Sequence, residues 1–229
     1  MPIPSYFRSE RVTADARSLI QAANSGAGEG VDIGPAYWAA VASVQAQPFE
    51  LPSEGTPPSL HFDPAEPGTA AALRYLLSAE IEPNELRLDS EKAAYTRERF
   101  QAAWRMLQDR APEFLDSVRV LVGHFVFAEF PDQEGQTSLR NTLGTVFWIS
   151  PFDNWKLHHF ADAIVHESTH QALFLTDMVR GCFQVDRAGL EAPEALAKSS
   201  IREIPRPYNL AFHAACVDAV LISLFDALE

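Results

Sequence analysis

The chain has 229 residues, with 18 Lys and Arg against 31 Asp and Glu, a net charge of −13 and a pI near 4.9. Hydrophobic residues make up 47% and charged residues 21%, which suits one folded globular domain and excludes a disordered chain. So acidic a chain is repelled by phosphate backbones and anionic lipid, so neither nucleic acid nor a membrane is an expected partner.

Residues 1–10 lack the apolar core of an export signal. The apolar run 217–225 contains Asp218 and is too short to span a bilayer. Two cysteines, Cys182 and Cys216, make no disulfide framework in a chain of this size. The expectation is a reduced, cytoplasmic protein.

In chain order, residues 11–23 place Val12, Ala16, Leu19, Ile20 and Ala23 at helical spacing and stop at Ser25-Gly26. Residues 26–35 hold four glycines without a Gly-x-x-x-x-Gly-Lys, and read as a surface loop rather than a phosphate cradle. Residues 35–47 read as a second helix with Pro35 in its first turn. Six prolines between Pro48 and Pro67 forbid a regular helix or a central strand, so this segment is expected to wrap the domain as a long loop. Helices are expected at 69–79 and 90–110, the second amphipathic with Ala94, Phe100, Trp104 and Leu107 near one stripe.

The texture changes at Val118. Residues 118–130 are rich in β-branched and aromatic side chains and read as a strand, 131–136 as a turn, and 143–150 as a second strand. Asp153 stands where it would cap a long helix running to about Met178. An irregular region with one short helix (192–198) follows. Prolines exclude a helix through 201–207, and a last helix covers 209–228. The expected fold is α+β and mainly helical, a single domain over 1–229. Residues 1–112 form its helical N-terminal part and 113–229 its metal-binding part, with a small twisted sheet beside the long helix.

That helix contains His166-Glu167-Ser168-Thr169-His170. Residues four apart share a helix face, so both imidazoles can reach one metal ion, and Glu167 can reach a metal-bound water as general base or acid. Ala163, Ile164, Val165, Ala172, Leu173 and Phe174 make this a core helix, where two His and a Glu cost free energy unless paired or metal-bound. Two imidazoles leave the site incomplete. The longer pattern with a glycine and a third His close behind fails, because Leu173 and Thr176 occupy those positions. A glutamate ligand on a following helix would be Glu191 or Glu194, but Gly189 and Pro193 shorten that helix. His213, in the apolar surroundings of the last helix, is the favoured third ligand, with Glu191, Glu194, Asp218, Asp177 and Cys216 as alternatives. His158 and His159 read as a polar helix start, and no spacing argument attaches to His61 or His124. Arg202 and Arg206, in the bend before the last helix, can hold a carboxylate bidentately, or else lie on the surface.

Three segments carry a resemblance: Ile-Ser-Pro at 149–151, Ile-Val-His-Glu-Ser-Thr-His-Gln-Ala-Leu-Phe at 164–174, and Arg-Glu-Ile-Pro-Arg-Pro at 202–207 followed by Phe-His-Ala at 212–214. In this order they resemble the HExxH-motif proteins of bacterial peptide-modification and natural-product gene clusters, over roughly residues 115–228. That family is associated with iron- and 2-oxoglutarate-dependent peptide β-hydroxylation on a scaffold like that of the glutamate zincins. The resemblance implies Fe(II) on His166, His170 and His213, with Arg202 or Arg206 anchoring 2-oxoglutarate. It also implies a substrate lying along the strand at 143–150. The substrate would be a peptide, a carrier-bound amino acid or a free one. The alternatives are a zinc metallopeptidase with Glu167 as general base, and a non-catalytic protein with a structural metal.

Overall fold

The computed structural model describes residues 1–23, 32–50, 52, 57–77, 82–130, 134–150, 155–200 and 204–229. The protein is α+β and mainly helical, with a small mixed sheet. Its centre is α6 (Leu157–Arg180), which packs against α1 (Ser9–Ala23), α4 (Ser90–Arg110), α5 (Pro112–Leu121) and α8 (Tyr208–Leu228). Contact on so many sides buries even polar residues of α6, among them Ser168, Thr169 and Gln171.

The main sheet has the order β1-β2-β4-β3. Strands β1 (Ser59–His61), β2 (His124–Ala128) and β4 (Thr145–Ile149) run parallel, and β3 (Gly135–Ser138) runs antiparallel to β4 at one edge. Every residue of β2 and β4 is buried, as a sheet covered on both faces requires. Phe125, Phe127, Val146 and Trp148 enter the main core. Val126, Ala128, Phe147 and Ile149 face a smaller one that includes Ala72 and Leu73 of α3 (Pro67–Leu73). Gly144 joins the layers: its carbonyl accepts from the Gly123 and His124 amides, and its amide donates to the Gln171 side chain of α6. Its φ of 87° and a Cβ position inside the Trp38 ring both require glycine.

Several expected elements shift. Residues 118–121 end α5 instead of starting a strand. Phe114, Leu115, Val118 and Leu121 are buried at helical spacing, and this outweighs the β-branched composition. Residues 135–138 form a strand where a turn reads through 136, because an edge strand needs only one ladder and no apolar alternation. Strand β1 begins just after Pro58 and is likewise an edge strand, where proline is tolerated. The helix expected at 69–79 runs from Pro67 to Leu73, and residues 78 and 79 lie outside the described residues.

No helix covers 192–198. Instead α7 (Arg187–Glu191) is followed by a 3-10 turn and β5 (Leu196–Lys198), which pairs antiparallel with β6 (Pro205–Pro207). The N-cap position of α6 is Lys156; Asp153, the expected cap, lies outside the described residues, as does most of the glycine-rich loop. Helix α8 extends the apolar stretch beyond 217–225. Among the described residues it is the one helix long and apolar enough to cross a membrane. Its inner side, with His213, Ala214, Val217, Val220 and Leu224, is buried.

Asp15 of α1 anchors the far end of α6. It is 1% exposed, accepts from Thr176 Oγ1 (2.7 Å) and Arg180 Nε (2.6 Å), and pairs with Arg11 (3.2 Å). Asp15→Asn is expected to cost about 2 kcal/mol, because both arginines stay half-exposed and can be resolvated. The check is a urea melt showing a lower midpoint with an unchanged slope.

Candidate metal centre

On α6, one turn places the His166 and His170 rings 5.2 Å apart. Ligand atoms of His166, Glu167 and His170 all lie within 4.8 Å of one another. From α8, His213 brings its Nδ1 to 3.2 Å from Nδ1 of His170, with the two rings stacked at 5.4 Å. Phe174 packs on both of these rings. The Ser138 hydroxyl of β3 donates to the Glu167 carbonyl (3.3 Å), which ties the edge strand to α6. Gln171 accepts from Gly144 N and donates to Thr145 O (3.0 and 3.1 Å), locking α6 against the start of β4.

These residues open on a cleft of about 460 Å³, lined also by residues 134–138, Arg206, Asn209 and Leu210. Burial dominates its electrostatics. It lowers His166 to about 4, against a pull upward from Asp218. It lowers His170 to about 3, helped by His166, His213 and Arg206. It lowers His213 to about 4 against Asp177. All three rings are therefore neutral at pH 7, and each has one nitrogen that can act as a ligand. Burial pushes the Glu167 carboxyl up to about 8, with Asp162 adding and Ser138 opposing. Its Oε2 is buried without a partner, and its Oε1 lies 3.7 Å from His166 Nε2. Converging neutral imidazoles beside an orphaned buried carboxyl oxygen fit a transition metal, and imidazole suits zinc and iron alike.

The structure therefore brings together His166, Glu167, His170, His213 and Arg206. Arg206 lines the cleft and makes no ion pair among the described residues. Arg202 lies outside the described residues. Glu191 and Glu194 are exposed and do not line the cleft. Asp177 is engaged elsewhere, with Arg140 (3.0 Å) and the Cys182 amide (2.8 Å). Asp218 and Cys216 sit beyond the lining, although the charge of Asp218 reaches His166. His159 accepts from the Lys156 amide (3.0 Å) at the start of α6, as a polar helix start should.

The strand at 143–150 is not the open one. Strand β4 is paired on both sides, so β3 presents the free edge and lines the cleft. Sequence reasoning missed Ser138, Gln171, Phe174 and Asn209. A signal existed for Gln171 alone, a polar side chain immediately before the apolar run Ala172 to Leu175 of a core helix. The chain matches no protein-family model and no curated protein.

The raised Glu167 carboxyl gives a pH prediction for the metal-free protein. An acid whose folded pKa exceeds its unfolded value stabilises fully below about 4.5 and loses that contribution as pH rises through about 8. Metal-free Glu167→Gln should therefore melt higher than wild type at pH 8, with the gap closing toward pH 5. Thermal melts in chelator check this.

Proposed function

We propose that this chain is a non-haem iron oxygenase that uses 2-oxoglutarate to hydroxylate a C–H bond, on a zincin-like arrangement of helix and edge strand. The carrying observation is the third imidazole, His213, sharing one cleft with the Arg206 guanidinium, which makes no ion pair among the described residues. A catalytic zinc or iron site needs three protein ligands and open positions, and His166, His170 and His213 would supply the three. When bound, iron with 2-oxoglutarate would supply the oxidising power for C–H hydroxylation.

The chain's own residues do the rest. Arg206 offers a planar fork that matches a carboxylate, such as the distal end of 2-oxoglutarate. The free edge of β3 offers backbone donors and acceptors to an extended peptide or a peptide-like carrier-bound substrate. This orients one side chain toward the imidazoles and favours attack at its β-carbon. Phe174 and Leu210 give the cleft apolar wall, which limits water. Glu167, neutral at pH 7 without metal, holds a proton beside His166.

A second reading, a zinc peptidase, is favoured by that same carboxyl and the same free strand edge. An ionised Glu167 could act as general base on a metal-bound water. The two readings separate on Arg206, which only the first requires.

The test is anaerobic. Fe(II)-loaded protein given 2-oxoglutarate should develop a visible charge-transfer band, and Arg206→Ala should weaken 2-oxoglutarate binding at least about tenfold, the loss of a charge-assisted pair. His213→Ala should lower metal affinity by more than about tenfold. Absence of the band, with tight zinc retention and amide cleavage abolished by Glu167→Gln, would establish the peptidase instead.

A further inference from the structure

A second imidazole pair lies away from the cleft, where β1 meets β2. The parallel register pairs Ser59 with His124, so His61, two residues on, shares the face of His124. His61 Nε2 and His124 Nδ1 stand 3.1 Å apart. Phe49 stacks on both rings, at 4.0 and 4.5 Å, so it covers their faces and leaves the facing nitrogens free in the ring planes. Each ring also has an oxygen nearby. The Glu50 backbone pulls the His124 pKa upward against burial, and the Glu66 carboxylate stands 3.9 Å from His61 Nδ1, beyond direct hydrogen-bond distance.

With one proton between the facing nitrogens, 3.1 Å apart, the pair is an N–H···N hydrogen bond; with both protons turned outward, two lone pairs face each other and a cation between them removes the repulsion. A carbonyl behind one imidazole and a carboxylate behind the other is also how ligand histidines are oriented at metal centres. Two imidazoles bound at about 2.05 Å and about 100° apart bring their nitrogens to about 3.1 Å. Burial keeps both rings neutral, as ligands must be. A cavity of about 730 Å³ opens on the pair, with room for water to complete the coordination.

We propose that His61 and His124 form a second metal site, taking a borderline divalent cation of the zinc, nickel or copper class through two cis imidazoles and water. The site clips the proline-rich wrap to β2. It joins segments 63 residues apart in sequence, at the edge of the sheet opposite β3.

The experiment uses the full chain, stripped with chelator and titrated with zinc. Wild type should bind two equivalents. His166→Ala/His170→Ala should keep one, with its melting temperature rising by about 5 °C at saturating zinc. Adding His61→Ala to that background should abolish both the binding and the rise. His61→Gln serves where the alanine variant fails to fold. The proposal is overturned if folded His166→Ala/His170→Ala binds no zinc at 0.1 mM (about one hundred times a micromolar Kd) and nitrogen NMR shows a proton shared between the two rings. The pair is then an ordinary N–H···N hydrogen bond. If His61→Ala loses the one equivalent that wild type binds and His166→Ala/His170→Ala keeps it, the cleft reading fails and this site stands.

Discussion

A helix buried on several sides can carry polar groups only where the surrounding structure gives them partners. Helix α6 meets this constraint by concentrating its polar groups in a few places. Ser168 and Thr169 return their hydroxyls to the carbonyls one turn back, and Gln171 replaces ladder bonds at the start of β4. Thr176 and Arg180 are held by Asp15. His166, Glu167 and His170 have no comparable set of partners within their own helix. They face the cleft, and a Glu167 oxygen there is buried without a partner, as is Asp162 Oδ1 about one turn earlier on the same helix.

The cleft follows from how its three walls attach to that helix. The edge strand β3 is tied down through Ser138, and α8 packs along α6 and delivers His213. The β5–β6 hairpin carries Arg206 back to the start of α8. Each wall adds one kind of chemistry: an open backbone edge, a lone pair, a fixed positive charge. Because they approach from different parts of the fold, the space between them stays open. On the function proposed above, it is this combination, and not the HExxH pair alone, that would suit a carboxylate co-substrate.

Both proposed sites draw on a sheet edge, for the same geometric reason. Inner strands β2 and β4 are committed to ladders and, apart from polar residues at their starts such as His124, to the two cores. At the edges a strand can be short, polar and rich in proline or glycine. Strand β3 borders the cleft in this way, and β1 brings His61 beside His124 at the other edge.

The sequence by itself determined the long elements and the central motif. Helix 90–110 matches its expected span, and α6, α8 and the strand around Thr145–Ile149 follow, because periodicity and apolar content are local properties. The four-residue spacing of His166 and His170 is local too, and their shared face needed no tertiary information. His213 was nominated from the chemical need for a third ligand, but its place beside His170 depends on how α8 packs on α6. Tertiary structure alone decided the rest. The helical phase of Phe114 and Leu115 claimed residues 118–121 for α5, and pairing to β4 made a strand of the polar residues 135–138. The meeting of His61 with His124 is set by a parallel register between distant segments, and no periodicity in one chain encodes which of its strands will lie side by side.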